Sequence, residues 1–89
     1  MNIGCWKTFS KREQMGYIAA EVLRAHYAGE GGDEATVRAI LERGLELVDV
    51  SLEDKKWRGE FLQLMTLRDK IALRYIGEKV SLQNLYAAF

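Results

Sequence analysis

Few residues in this chain are suited to catalysis or metal binding, and they form no recognisable pattern. The sequence contains one histidine, His26, and one cysteine, Cys5. His26 has Glu30 as its nearby oxygen-ligand candidate, whereas structural zinc sites use four ligands. A reactive cysteine needs a cationic neighbour or a helix N-terminus that favours its thiolate, and Lys7 alone is weak support for one at Cys5. We therefore expect no metal and no cofactor.

Other residue types that serve in active sites have structural explanations here. Ser10, Ser51 and Ser81 each precede a helical pattern, in the position of an N-cap that binds backbone amides. The glycines in residues 29–32 follow a predicted helix rather than a strand, which is the wrong context for a phosphate-binding loop. No paired carboxylates stand in a recognisable catalytic arrangement. We therefore expect no catalytic residues and no enzyme activity.

Two polar residues interrupt otherwise apolar helical stripes. His26 lies in the stripe of the first predicted helix, and Arg68 lies in that of the third, between Leu64 and Ile71. A buried guanidinium is costly unless a carboxylate, a carbonyl or water bonds it. We expect Arg68 at the bundle edge or at a subunit seam with its head group bonded, and His26 as a packed ring. The alternative is a small-anion or ligand site that uses both residues.

Helical periodicity and capping signals predict an all-α fold in a single domain, residues 1–89. The predicted fold is a small bundle of three main helices, with a long third helix, plus a short C-terminal helix. The helices are predicted at about 10–28, 33–48, 52–76 and 82–88, after an N-terminal arm at 1–9. We expect Trp6 and Phe9 to pin this arm onto the helices. The alternative is an exposed aromatic and basic arm for nucleic acid, with Lys7, Lys11 and Arg12.

The third predicted helix is apolar over most of its circumference, with one continuous polar strip. A helix of this kind must be covered on more than one side, and two neighbouring helices do not suffice. We therefore expect part of it to contact a second subunit, with a homodimer favoured. The candidate interface or ligand contacts are Arg68, His26, Trp57, Phe61 and Tyr75. Gly44, in the apolar stripe of the second helix, is interpreted as a point of close helix approach.

Composition places the chain among ordinary globular domains. It has 89 residues, of which 48% are apolar and 29% charged. Thirteen basic and thirteen acidic side chains cancel, which argues against broad capture of nucleic acid or anionic membrane. A single cysteine fits a reducing compartment. With no signal-peptide pattern and no membrane-spanning run, we expect a cytoplasmic protein.

These observations leave three functional hypotheses. The first is a protein–protein interaction or self-associating module, because the third helix has excess apolar surface and no catalytic constellation is present. The second is a helix-turn-helix DNA-binding protein, suggested by the turn over residues 76–82, although Gln83 and Asn84 are the polar residues that the last helix offers to DNA. The third is a regulatory bundle that senses a small anion or ligand near His26 and Arg68.

Overall fold

The computed structural model describes residues 3–89, and this part of the chain is helical and contains no strand. The helices are α1 Ile3–Trp6, α2 Lys11–Glu30, α3 Glu34–Leu52, α4 Phe61–Tyr75 and α5 Leu82–Ala87, with a 3₁₀ helix at Lys55–Glu60. The predicted all-α class, with three main helices and a short C-terminal one, is confirmed. Residues 1–2 of the predicted arm lie outside the described residues.

Local capping fixes both ends of α2, and its N-cap is Ser10, as the sequence predicts. Ser10 Oγ accepts a hydrogen bond from the Glu13 amide at 3.1 Å, and Glu13 Oε1 accepts one from the Ser10 amide at 3.0 Å. This reciprocal pair is a capping box. At the other end Gly32 has a φ of +78°. Its amide and that of Asp33 close a Schellman turn onto Gly29 and Ala28, so α2 runs two residues beyond the predicted end.

The same turn starts the next helix. The Asp33 side chain accepts from the Thr36 amide at 3.1 Å and so caps α3. The Schellman turn and the cap share Asp33, so the connection is short, and α3 packs against α2. Helix α4 then packs on α3, and α5 packs on α2.

The long helix predicted over 52–76 is wrong in its first part. Helix α3 continues to Leu52, residues 55–60 form the 3₁₀ helix, and α4 begins at Phe61. Ser51 does not cap a helix, because it is fully buried inside α3 and its Oγ donates to the Leu47 carbonyl at 2.8 Å. The capping role belongs to Asp54, whose side chain accepts from the Lys56 amide at 3.0 Å.

The N-terminal arm is pinned onto the bundle as predicted. Trp6 is fully buried in the core, and Phe9 stacks on Tyr17 with ring centroids 5.3 Å apart. The core brings together apolar side chains from α1, α2, α3, α4 and α5, which are Trp6, Ile18, Val22, Ala25, Val37, Leu41, Leu47, Val48, Ile71, Leu82 and Leu85.

A chain of buried hydrogen bonds joins the arm to three other elements. The Trp6 indole donates to Ser51 Oγ at 2.8 Å, and the Trp6 carbonyl accepts from Gln14 Nε2 at 2.7 Å. Gln14 Oε1 accepts from the Trp57 indole at 2.5 Å. Both indole N–H groups are therefore satisfied inside the protein, as buried polar groups require.

Gly44 is buried in α3, but it does not mark a close helix approach. A Cβ built on it meets no atom within 4 Å outside its own helix backbone and chain neighbours. The interpretation of Gly44 as a point of close helix contact is wrong, since the neighbouring side chains leave a space there.

Helix α4 ends one residue before the predicted position, and α5 begins at the predicted residue, Leu82. Gly77 has a φ of +97°, its amide donates to the Arg74 carbonyl, and the Glu78 amide donates to the Leu73 carbonyl. This second Schellman turn ends α4. Ser81 Oγ accepts from the Asn84 amide at 3.2 Å and caps α5. Across residues 3–89, no helix has both the length and the apolar composition to cross a membrane.

Candidate functional site

Helix α4 buries one side and exposes the other. Its buried side carries Leu64 and Ile71, which face the rest of the bundle. On the opposite side Leu62 is 77% exposed and Ile76 is 70% exposed, and Leu73 is exposed to a lesser degree. We call the residues Leu62, Met65, Asp69, Leu73 and Ile76 the outer face of α4. Four of these five side chains are apolar, although they do not lie in the core.

The outer face of α4 has a symmetrical spacing. Leu62 and Ile76 each lie seven residues from Asp69, and Met65 and Leu73 each lie four residues from it. Steps of three, four and seven residues keep side chains on one side of a helix. If a second copy of α4 lay antiparallel with Asp69 at the centre, Leu62 would meet Ile76 and Met65 would meet Leu73. The face is therefore complementary to itself.

Opposite charges flank the two ends of this face. Arg58 stands before α4 and Glu78 stands after it, and both are exposed. Neither side chain forms an ion pair within residues 3–89. An antiparallel second copy would bring Arg58 of one chain towards Glu78 of the other, whereas a parallel copy would bring like charges together.

Arg68 bridges α4 to α3 at the edge of the bundle. Its Nε donates to Asp49 Oδ1 at 2.5 Å. The pKa of Arg68 is raised, mainly by the hydrogen bond to Asp49 and secondly by the negative charge of that carboxylate. Its head group is thus bonded within the chain, as a partly buried guanidinium requires.

The structure does not bring His26 and Arg68 together in one cavity. His26 lines a depression of about 270 Å³ where the end of α2 faces the start of α5, and the arginine that lines it is Arg74. The His26 Nε2 lies 3.8 Å from Glu30 Oε1. Arg74 is already held by Glu34, with N–O distances of 3.1 and 2.6 Å, and this bond lowers the pKa of Glu34.

The three aromatic candidates occupy different environments. Trp57 is buried in its own chain. Tyr75 is half-buried, with the Arg38 guanidinium 5.4 Å from its ring centroid. Phe61 is exposed at the start of α4, so it remains available to a partner. In the sequence, Leu62 and Leu73 lie beyond the edge of the apolar stripe that contains Leu64 and Ile71. This position on the helix is the sequence feature that indicates a second, outward-facing apolar side.

A second surface is a mostly apolar groove of about 490 Å³, which we call the α4–α5 groove. It opens where α4 and α5 leave the start of α2 and the 3₁₀ helix uncovered. Its apolar side chains are Met15, Trp57, Leu64, Leu67, Leu85, Ala88 and Phe89. Its charged lining residues are Lys11, Arg12, Glu60 and Lys70.

The candidate metal ligands of the described residues do not come together. No group of three or more His, Cys, Asp and Glu side chains that could hold a metal ion occurs in residues 3–89. Cys5 is exposed and free.

Comparison of the chain with protein-family models, with curated proteins and with solved structures gave no match in any of the three. The outer face of α4 and the α4–α5 groove are therefore the features from which a function can be inferred.

Proposed function

We propose that the protein is a self-associating interaction module, in which the outer faces of two α4 helices pair antiparallel to form a homodimer. The observation that carries this proposal is the self-complementary spacing of apolar side chains about Asp69, of which Leu62, Leu73 and Ile76 are exposed and Met65 is half-buried. Exposed apolar side chains that recur along one helix face are typical of interaction sites. A single cysteine, exposed and free, fits a reducing compartment such as the cytoplasm.

The driving force is burial of apolar surface. Full burial of a Leu, Ile or Met side chain stabilises by about 1.5–3 kcal/mol, and each copy contributes Leu62, Met65, Leu73 and Ile76. Association also costs translational and rotational freedom, estimated at about 4–15 kcal/mol. Because each copy offers only four such side chains, some of them already partly buried, we expect a weak dimer, with a dissociation constant on the order of micromolar.

The central Asp69 opposes the pairing. In the antiparallel arrangement two carboxylates meet at the dyad, and like charges in contact destabilise an interface. The flanking Arg58 and Glu78 act in the other direction, since each meets its opposite in the second copy. These charges select the antiparallel arrangement over the parallel one.

Solution mass tests the self-association. Light scattering after size-exclusion chromatography at about 10 to 100 µM should give a mass between those of a monomer and a dimer, increasing with concentration. Leu62→Glu should give a monomer at every concentration. Its fold should be kept, because a glutamate in the first turn of α4 is favourable to the helix dipole. Tyr27→Glu is the matched control, since Tyr27 is 63% exposed but lies on α2. A wild-type chain that is monomeric throughout this range refutes the proposal.

Disulfide cross-linking tests the geometry. In a Cys5→Ser background, the double variant Leu62→Cys/Ile76→Cys should form disulfide-linked dimers on mild oxidation. In the antiparallel pair, position 62 of one chain faces position 76 of the other. Disulfides form only when the Cα atoms lie within about 7 Å. The single variant Leu62→Cys should remain uncross-linked. Efficient cross-linking of the single variant would instead indicate a parallel pair.

A DNA-binding role has less support. The second helix of the suggested helix-turn-helix is α5, which has 6 residues and buries Leu82 and Leu85. Its exposed polar residues, Gln83 and Asn84, carry no charge for phosphate contacts. Affinity for duplex DNA that falls with increasing salt would reverse this assessment.

A further inference from the structure

The α4–α5 groove is a second surface with its own chemistry. It lies on a different side of α4 from the outer face, since its α4 residues are Gln63, Leu64, Thr66, Leu67 and Lys70. Its volume of about 490 Å³ is within the range of small-molecule sites, about 300–1,000 Å³. The two surfaces share no residue, so we expect binding in this groove to be independent of self-association through the outer face.

The charges around the groove do not balance. Lys11 and Glu60 neutralise each other, with Lys11 Nζ 2.9 Å from Glu60 Oε1. Arg12 and Lys70 also line the groove, and neither has an ion-pair partner within residues 3–89. Two uncompensated positive charges therefore stand beside an apolar surface, in a chain whose formal net charge is zero.

The apolar lining favours an aliphatic ligand. Met15 and Leu67 come from different helices and contribute flexible or branched aliphatic side chains, and Leu85 adds another from α5. Methionine adapts its shape to ligands of varying length. The Trp57 ring also lines the groove. It already has partners within the chain, because Lys11 Nζ lies 5.8 Å from its centroid and its indole N–H donates to Gln14.

We propose that the α4–α5 groove binds a free amphipathic anion, a medium-chain aliphatic carboxylate, as a single molecule. The alkyl chain lies against Met15, Leu67 and Leu85, and the carboxylate is held by the uncompensated cations Arg12 and Lys70. Affinity rises with chain length until the groove is filled, by up to about fourfold for each added methylene. The carboxylate adds specificity, because an alcohol of the same length lacks the charge.

Calorimetric titration of the wild-type chain with three probes tests this. The probes are decanoate, decanol and decyltrimethylammonium, each kept below its micelle-forming concentration. Decanoate should bind saturably with one molecule per chain, decanol more weakly, and the cationic probe most weakly. No saturable binding of decanoate, or equal affinity for the three probes, would overturn the proposal. Binding of phosphatidylglycerol vesicles without binding of free decanoate would also overturn it, and would indicate a membrane surface instead.

Charge variants locate the carboxylate. Arg12→Gln and Lys70→Gln should each weaken decanoate binding by up to about fivefold, the range of an exposed ion pair, and leave decanol binding unchanged. Lys79→Gln, an exposed lysine outside the groove, is the matched control. Glu60→Gln removes the negative charge of the groove lining and should strengthen decanoate binding by a similar factor.

Two further variants separate this site from the dimer. Ala88→Trp should fill the groove and abolish binding of decanoate and decanol alike, while the circular dichroism spectrum stays helical. Leu62→Glu, which places a charge on the outer face of α4 and should prevent self-association, should bind decanoate as the wild type does. Loss of decanoate binding in Leu62→Glu, or its retention in Ala88→Trp, would show that the groove is not the binding site.

Discussion

Replacement of Gly44 by alanine should stabilise the protein. Gly44 lies in the middle of α3, in the seam that buries Leu41 and Val48. A glycine in such a position normally indicates that another backbone approaches closely. Here an added Cβ meets no atom within 4 Å outside its own helix backbone and chain neighbours, so alanine fits without moving a neighbour.

Two terms set the magnitude. A glycine inside a helix is less favourable than alanine by about 0.8–1.0 kcal/mol. A methyl group buried at this site adds up to about 0.8 kcal/mol. We therefore expect Gly44→Ala to raise the free energy of unfolding by about 1–2 kcal/mol. For a domain of this size each kcal/mol raises Tm by about 4–8 °C.

Urea and thermal denaturation, followed by circular dichroism, measure this change, and two other glycines provide controls. Gly16 is exposed in α2, and a Cβ added there would also have no atom within 4 Å, so Gly16→Ala should show the helix-propensity gain without the buried methyl. Gly32 has a φ of +78°, so Gly32→Ala should destabilise, by about 1 kcal/mol. If Gly44→Ala lowered the stability, α3 would be packed more tightly at that point than the structure shows, and the reasoning would be refuted.

Three further predictions concern the buried bonds, the helix caps and the dimer. Ser51→Ala leaves the buried Trp6 indole without an acceptor and should lower the free energy of unfolding, measured by urea denaturation, by about 1–3 kcal/mol. A decrease below about 0.5 kcal/mol would contradict the buried hydrogen bond. Hydrogen bonds from the Ser10 amide and hydroxyl lower the pKa of Glu13 below its ordinary value of 4.5, and those from Thr36 lower the pKa of Asp33 below 3.8. A carboxylate whose folded pKa is depressed adds stability above its unfolded pKa, and this stability is lost as pH falls through the folded pKa. We therefore expect the Tm to decline once pH drops below about 4.5. A Tm that stays constant down to about pH 2 would contradict the capping roles. Asp69→Asn removes the like-charge contact at the dyad and should strengthen self-association by about fivefold in sedimentation equilibrium, whereas weaker association would place Asp69 away from the dyad.

Helix ends could be predicted where their causes are local. Three N-cap side chains accept hydrogen bonds from amides three residues along the chain, those of Ser10, Asp33 and Ser81. At the end of α4, the amides of Gly77 and Glu78 donate to carbonyls three and five residues before them. Because both partners of each bond lie in one short segment, the residue types and their spacing were sufficient.

Ser51 shows where local reasoning fails. Its sequence neighbours resemble those of a helix cap, but its hydroxyl accepts from the Trp6 indole, 45 residues away in sequence. The arm must be docked before this bond exists, and a local pattern carries no information about docking. The same applies to the hydrogen bond from the Trp57 indole to Gln14, whose partners are 43 residues apart in sequence.

The helical class, most helix ends and the apolar character of the segment that contains α4 can all be predicted from the residues alone, because propensity, capping and periodicity act over a few residues. Which side of that segment faces outward depends on packing in three dimensions. A 3₁₀ helix has 3.0 residues per turn instead of 3.6, so Lys55–Glu60 changes the phase between Trp57 and the residues of α4. Packing of α4 on the rest of the bundle then buries Leu64 and Ile71 and leaves Leu62 and Ile76 exposed, since α5 packs on α2 rather than over α4.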